Sequence, residues 1–198
     1  QEHNVKQFIS ASGVGIYKSD YEKLYTEEDT ETDASFLAEV VVSWEAVTEK
    51  FSNEGIAVAI LRTGVVLDSN EGALPKLFQP IKLGFGAALG SGKQWQSWIH
   101  IDDIARIYLH ILNNKLSGIF NAVSPNPATN AEMTKAIAGV LKKPLWLPGV
   151  PAFVLKLLLG EMSVMVLSSQ KVSSAKIEDT GFTFQFPELE DALKDLLN

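Results

Sequence analysis

The sequence predicts an α/β fold built on a parallel sheet, and three consecutive segments support this. A strand-like segment at residues 7–12 ends in small and hydroxyl side chains. A segment with apolar residues at helical spacing follows at 36–51, and a continuously apolar, β-branched run follows at 56–61. Strand, helix and strand in this order form a right-handed crossover, and a run without polar residues is typical of a parallel strand covered on both faces.

The ends of these elements carry recognisable signals. Asp33 is placed to cap the first helix and Gly55 to follow its last turn. Residues 98–101 lead into a second helix that Asp102 is placed to cap, and residues 119–123 form a further strand. The chain therefore continues the alternation of strand and helix.

Later segments are more helical. Thr129 and Glu132 have the spacing of a capping box and predict a helix that ends before Pro144. Residues 151–167 are strongly apolar and predict a helix, whereas Gly90 and Gly92 predict the turn of a hairpin. We expect a mainly helical second lobe.

Composition narrows the class of protein. The 198 residues are 46% apolar and include no cysteine and three scattered histidines. A chain of this size can build its core without disulfides or metals. We expect no metal site, and the lack of cysteine makes the reducing cytoplasm the expected compartment.

The formal net charge of −7 arises in one segment, because residues 20–45 contain nine acidic side chains and one lysine. An acidic chain is not attracted to nucleic acid or to an anionic membrane, so neither is expected as a partner. The longest apolar run, at 150–159, contains Lys156 and falls short of the ~20 residues that a membrane span requires.

Four stretches carry a family resemblance: SAS at 10–12, LRTGVVL at 61–67, GSGKQWQSWIHIDD at 90–103 and NAVSPNP at 121–127. Together they resemble the extended short-chain dehydrogenase/reductase superfamily, and more closely its atypical, epimerase-like branch. Members of that branch finish with a C-terminal domain of unknown function, which the stretch from LLLGEM at 157–162 to Pro187 resembles. The resemblance covers essentially the whole chain.

The resemblance implies the C-terminal part of a doubly wound (Rossmann) sheet, at residues 1–72 and 99–124. It places a smaller, mainly helical substrate lobe at 73–98 and 125–198. It also implies an NADP or NAD cofactor, whose pyrophosphate is held by a glycine-rich turn in an N-terminal half that this sequence does not contain.

The usual catalytic pair of the superfamily is a tyrosine and a lysine four residues later, on the helix after the first strand of this chain. Here that helix offers Phe36 and Val40, or Leu37 and Val41 in the neighbouring register. By resemblance, Ser12 is the candidate assisting hydroxyl, although an alignment on Tyr17 puts Gly13 there.

Tyr17 is itself the candidate proton donor, and Tyr21 and Tyr25 in the same loop could also supply a phenol. For each of the three, simple packing with the hydroxyl in water is the alternative.

Five residues at strand ends are candidate cofactor contacts: Ser10, Ala11, Thr63, Gly64 and Val65. In relatives the backbone after the second strand approaches the nicotinamide ring, and a glycine permits a close approach. The alternative is an ordinary strand-to-loop turn. Arg62, which precedes them, suits either a phosphate or a buried carboxylate.

Four residues are candidate substrate contacts: Trp95, Gln96, Trp98 and His100. Sugar-nucleotide epimerases carry an arginine where this chain has Gln96, and a neutral amide cannot make the bidentate, charge-assisted bonds with which arginine grips a diphosphate. The two tryptophans are candidates for a pocket wall or for the core, and His100 for a structural hydrogen bond to the backbone.

Two functions remain open from the sequence. The first is an NAD(P)-dependent oxidoreductase or epimerase-like enzyme that acts on a small molecule other than an ordinary sugar nucleotide. The second is a catalytically silent NAD(P)-binding protein that regulates or scaffolds a partner. Neither the substrate nor the oligomeric state follows from the sequence, and a homodimer is left open.

Overall fold

The structure is a computed structural model that describes residues 5–198. Its strands are β1 Gln7–Gly13, β2 Leu24–Tyr25, β3 Ala57–Thr63, β4 Val65–Leu67, β5 Trp95–Gln96, β6 Trp98–His100, β7 Gly118–Ala122, β8 Ala128–Thr129 and β9 Lys171–Val172. Its helices are α1 Phe36–Glu49, α2 Ala73–Lys82, α3 Ile101–Asn114, α4 Asn130–Val140, α5 Ala152–Leu159, α6 Val164–Leu167, α7 Ala175–Asp179 and α8 Leu189–Leu197.

The central sheet is parallel and has the strand order β1-β3-β7. The prediction that the strand at 7–12 runs parallel to its neighbour at 57–62 is therefore confirmed. Alternation along the strands sends Ser10 and Ser12 towards α1, while Ala59 and Leu61 pack with the buried face of α3. The result is a helix-sheet-helix arrangement, as expected for the doubly wound class.

A second core lies beside this sheet. It consists of one side of α2, α4 and α8 packed around Trp98 and Leu67 of the short parallel pair β4-β6. Thr129 caps α4 in a complete capping box with Glu132, as the sequence predicts. This helix ends at Val140, four residues before Pro144, and Lys142 then adopts a left-handed φ of 53°.

Helix α1 buries a partly polar face and exposes much of its apolar face, unlike a normal amphipathic helix. Its side chains that reach the interior are Ala38, Glu45 and Thr48, whereas Phe36 is 72% exposed and Trp44 is also exposed. The apolar spacing correctly predicts a helix, but its apolar stripe is not the buried face. The buried polar side chains have partners on the sheet, described below, which explains their orientation.

Three local predictions are wrong. The N-cap of α1 is Ser35, and the Asp33 carboxylate instead accepts the Ser35 backbone N–H. The cap of α3 is His100 rather than Asp102. The glycines at 90 and 92 do not join a hairpin, because β5 pairs with the distant β8.

The predicted helix at 151–167 is also interrupted. It breaks at Gly160, whose φ is +56°, and a short 3-10 turn at Gly160–Ser163 separates α5 from α6. None of the helices in the described part of the chain has the length and apolar character of a membrane-spanning segment.

Candidate active site

The carboxyl ends of β1 and β3 lie side by side. Ser12 is in register with Arg62, and Gly13 with Thr63. In open parallel sheets this edge is where ligands bind. The small side chains of the two strand ends leave the backbone at this edge accessible, because Gly13 and Thr63 are only half-buried.

A buried carboxylate holds the end of β1 to the end of β3. The Ser12 hydroxyl donates to Glu45 Oε1 at 2.6 Å, and Arg62 donates to both Glu45 oxygens, from Nε at 2.9 Å and from Nη2 at 2.7 Å. All three side chains are buried. The sequence-based alternative that Arg62 pairs with a carboxylate is confirmed.

This arrangement fixes the direction of the Ser12 hydrogen bonds. A serine hydroxyl has one proton and two lone pairs, and here the proton points to the Glu45 carboxylate. Towards a ligand, Ser12 can therefore act only as an acceptor unless this bond is broken. Its complement is an N–H or O–H group rather than a carbonyl oxygen.

Tyr17 continues the same network. Its hydroxyl donates to Asn121 Oδ1 at 2.8 Å and accepts from Arg62 Nη1 at 3.0 Å, and its ring stacks on Tyr25 with centroids 5.0 Å apart. The side chain is 1% exposed. The phenol thus lies below the strand ends, in the interior.

Burial and the Arg62 charge act in opposite directions on the phenol. Burial raises the pKa of Tyr17, and the hydrogen bond and charge of Arg62 only partly offset this, so the phenol remains protonated at neutral pH. Burial acts to lower the pKa of Arg62, but the hydrogen bonds to Glu45 and Tyr17 outweigh this effect. The pKa of the guanidinium is therefore raised above its usual value. The network therefore contains one fixed positive charge on Arg62.

The proposed cofactor contacts lie on both sides of this network. The Ser10 hydroxyl accepts from Thr48 on α1 at 3.2 Å, while Ala11 is exposed. The backbone N–H of Gly64 donates to Ala122 O at 3.2 Å and that of Val65 to Ser97 O at 2.8 Å. Those two N–H groups are therefore occupied within the chain.

Gly64 has a reason of its own within the fold. A Cβ at this position would lie 2.3 Å from the Ser97 carbonyl oxygen and 2.9 Å from Val123 Cγ1. The close approach that requires glycine is thus between β3 and the chain before β6. This packing accounts for the glycine within the fold, and its proposed contact with the nicotinamide ring stays a prediction.

The four predicted substrate contacts do not form one wall. Trp98 is fully buried and donates from Nε1 to Asn126 O at 2.9 Å, within the second core. Trp95 is half-buried and donates to Tyr21 O at 3.0 Å, with Lys171 Nζ 4.2 Å from its ring centre. Of the two tryptophans, Trp98 therefore belongs to the core, and Trp95 lies apart from it on β5.

His100 has a structural position. Its Nδ1 accepts the Asp102 backbone N–H at 3.1 Å, which makes it the cap of α3, and its ring stacks on Phe186 at 3.9 Å. The other nitrogen, Nε2, lies 3.4 Å from Asp195 Oδ2. The ring is thus held at Nδ1 and on one face, while Nε2 has no hydrogen-bond partner among the residues that the structure describes.

Gln96 is half-buried and close to the Tyr17 segment. It forms a β-bridge with Gln170, whose side chain donates to Tyr17 O at 3.3 Å. Its own Oε1 is buried and has no hydrogen-bond partner among the residues that the structure describes. A buried unpaired acceptor is costly, so a ligand donor group at this point would be favourable.

Sequence reasoning missed Glu45, Asn121 and Gln170. Glu45 had a detectable signal, because it shares a helix face with Ala38 and Thr48 at spacings of seven and three residues. Asn121 and Gln170 come from distant parts of the chain, and only the fold brings them to Tyr17. Within residues 5–198 no group of three or more His, Asp or Glu side chains could hold a metal ion.

Comparison with known families agrees with this geometry. Residues 1–123 match the model of the NAD dependent epimerase/dehydratase family, and residues 150–196 match a domain of unknown function, DUF1731. An epimerase family protein of Staphylococcus saprophyticus is 39% identical over 201 residues, which cover 100% of this chain and 66% of that protein. The mouse epimerase family protein SDR39U1 is 36% identical over 98% of this chain and 67% of its own.

Solved structures give the same result. The human epimerase family protein SDR39U1, crystallised with NADPH, superposes with a TM-score of 0.90 at 33% identity, over 96% of this chain and 65% of that one. The UDP-N-acetylglucosamine 4-epimerase of Bacillus cereus, at 19% identity and a TM-score of 0.79, shares the fold. This chain spans about two thirds of the length of the relatives it matches, and it belongs to the NAD dependent epimerase/dehydratase family.

Proposed function

We propose that the whole protein is an NADPH-dependent oxidoreductase or epimerase-like enzyme for a small molecule that is not an ordinary sugar nucleotide. The observation that carries this proposal is the Ser12–Glu45–Arg62 network at the carboxyl ends of two parallel strands. The human relative solved with NADPH supports the choice of cofactor. The lack of cysteine supports a cytoplasmic location.

The residues present fit the nicotinamide end of such a cofactor. The exposed Ala11, with Gly13 and Thr63, would border the ring, and small side chains there allow a flat group to approach the sheet edge. When bound, the cofactor supplies or takes up a hydride. Residues 5–198 contain no glycine-rich strand-to-helix turn for the pyrophosphate.

In this proposal Ser12 orients the reactants and Tyr17 is the nearest proton donor. Ser12 Oγ donates its hydrogen bond to Glu45 and accepts one from an N–H or O–H of the bound molecules. Tyr17 Oη donates its hydrogen bond to Asn121 Oδ1. Neither hydroxyl can give a proton to a carbonyl oxygen without first turning away from its present acceptor.

Gln96 supports a substrate without a diphosphate. Its amide is uncharged, so it cannot pair its own charge with a phosphate or make the bidentate contact of an arginine guanidinium. Loss of such a bond typically costs ~2–3 kcal/mol, or roughly 30- to 150-fold in affinity. We therefore expect uridine diphosphate sugars to bind poorly, and Gln96→Ala to leave that weak binding unchanged.

The test is single-turnover oxidation of bound NADPH by the full-length protein against a library of carbonyl compounds. Ser12→Ala and Tyr17→Phe are expected to lower the rate while cofactor affinity stays within a few fold. Ser43→Ala is the matched control, because this exposed hydroxyl of α1 bonds only to the Glu39 backbone in the structure.

The two alternatives separate clearly in this assay. Turnover that is unaffected by both substitutions removes Ser12 and Tyr17 from the mechanism. Tight NADPH binding without turnover of any compound favours the catalytically silent binding protein. Micromolar binding of a uridine diphosphate sugar contradicts the argument from Gln96.

A further inference from the structure

The segment from α5 to α6 exposes an unusual amount of apolar surface. Leu157 is 84% exposed, and in α5 only Leu155 is buried. The exposed large apolar side chains of this segment are Phe153, Leu157, Leu158, Leu159, Met162, Val164 and Met165. Contiguous exposed apolar surface of this kind marks an interaction site in natural proteins.

A second exposed apolar segment adjoins the first. Residues 86–90 run beside residues 145–150, with Val150 N–H donating to Ala88 O and Gly90 N–H to Val150 O, both at 2.8 Å. Exposed aromatic and leucine side chains lie at the ends of this pairing: Leu83, Phe85, Leu145 and Trp146. Because α5 begins two residues after Val150, the two exposed apolar segments are adjacent along the chain.

The charged side chains in the sequence around these exposed segments are mostly lysines. No acidic residue occurs from 72 to 101 or from 133 to 160, and these two ranges, which we call the lysine lobe, contain only lysines as charged side chains. All of them are exposed: Lys76, Lys82, Lys93, Lys135, Lys142, Lys143 and Lys156. Acidic side chains border these ranges in sequence at Glu71, Asp102, Glu132 and Glu161. Glu132, Glu188 and Glu190 line the same groove as Lys142 and Lys143.

We propose that the lysine lobe docks on an anionic phospholipid surface, with α5 and α6 in the interface and the lysines at the headgroups. Leucine, tryptophan and phenylalanine beside lysine are the composition of membrane-surface segments, and Glu161, between α5 and α6, is the one acidic side chain in residues 133–167. Each lysine near such a surface is worth about 1 kcal/mol. The net charge of −7 argues against this partner only as an average over the whole chain.

Charge also favours an anionic phospholipid surface over a second copy of the chain as the partner of this surface. A twofold interface places the same surface on both subunits, so it would bring two lysine lobes together. That arrangement is electrostatically unfavourable. An anionic surface satisfies both the apolar and the charged side chains.

The test is flotation of the purified chain with lipid vesicles. Vesicles of phosphatidylcholine with about 30% phosphatidylglycerol are expected to bind it at low salt, and 0.5 M salt or pure phosphatidylcholine to release most of it. Lys82→Gln with Lys156→Gln is expected to weaken binding about 30-fold, from ~1 kcal/mol for each lysine. Leu157→Asn with Leu158→Asn is expected to weaken it at least about 100-fold.

Matched controls lie elsewhere on the molecule. Leu109→Asn with Leu112→Asn alters two exposed leucines of α3, and Lys18→Gln with Lys50→Gln alters two exposed lysines outside the lysine lobe. Both are expected to bind vesicles like the unmodified chain.

Any of three results overturns the proposal. The first is that no vesicle binds, and the second is that controls and lobe variants lose binding equally. The third is a concentration-dependent dimer in light scattering that Leu157→Asn with Leu158→Asn abolishes while no vesicle binds, which would make this surface a contact between copies.

Discussion

Replacing Glu45 by glutamine is expected to destabilise the chain strongly. Glutamine has nearly the same volume, but it removes the negative charge that accepts from Arg62 at 2.7 and 2.9 Å and from Ser12 at 2.6 Å. The guanidinium would remain buried and charged beside a neutral amide. Breaking a buried ion pair by removing one partner costs ~3–5 kcal/mol, a large part of the ~5–15 kcal/mol that stabilises a typical domain.

Urea unfolding followed by far-UV circular dichroism measures this cost. Glu49→Gln, at an exposed position near the end of the same helix, is the control and should stay within about 0.5 kcal/mol of the unmodified chain. Glu45→Met combined with Arg62→Met should recover most of the loss, because apolar residues can replace a buried pair. A cost below about 1 kcal/mol for Glu45→Gln, or a double variant as unstable as the sum of both singles, would refute the reasoning.

Three further outcomes follow from particular contacts. Gly64→Ala should cost about 3 kcal/mol or more in unfolding free energy, because its Cβ would lie 2.3 Å from Ser97 O, whereas Gly139→Ala, in open space on α4, should gain ~0.5–1 kcal/mol. Thr129→Ala should cost ~1 kcal/mol by removing the capping box, in the same urea assay. Burial raises the pKa of Tyr17, so the folded chain holds this proton more tightly than the unfolded chain. The free energy of unfolding should therefore fall as pH rises above about 10. Tyr17→Phe should make this fall less steep, and equal slopes for the two proteins would contradict the prediction.

The sequence was sufficient for the parallel pairing because that information is local. Strand β3 is continuously apolar from Ala57 to Leu61, and the helix between β1 and β3 has the length of a crossover. The capping box at Thr129 is likewise contained in four consecutive residues. Such features depend on chain chemistry that is readable without knowing distant contacts.

The orientation of α1 was not predictable in the same way. Hydrophobic spacing assigns Phe36 and Trp44 to the buried face, but Glu45 and Thr48 take that face because Arg62, Ser12 and Ser10 meet them there. Burying a charged group is costly unless it is paired with a group of opposite charge. That partner lies 17 residues away in sequence, on a different element.

The same limitation applies to His100. Its position before a helix indicated a backbone hydrogen bond, and the structure contains one to Asp102. The stacking on Phe186 and the approach to Asp195 come from the C-terminal segment, which no spacing within 98–103 anticipates. For this reason the predicted substrate set mixed two half-buried residues, Trp95 and Gln96, with the buried Trp98 and His100.

Charge shows most clearly how an average can mislead. Electrostatic attraction in physiological salt acts over a Debye length of about 8 Å, so a ligand or surface responds to the charges near its contact and not to the total. In this chain the acidic excess lies in residues 20–45, in the loop after β1 and in α1. The exposed lysines of the lysine lobe lie instead on α2, α4 and α5 and in the loops beside them. An anionic surface that contacts α5 therefore lies near Lys156, and near Glu161 in the turn that follows. The vesicle experiment with Lys82→Gln and Lys156→Gln measures this local charge directly, since a chain governed by its total of −7 would bind no anionic surface before or after the substitution.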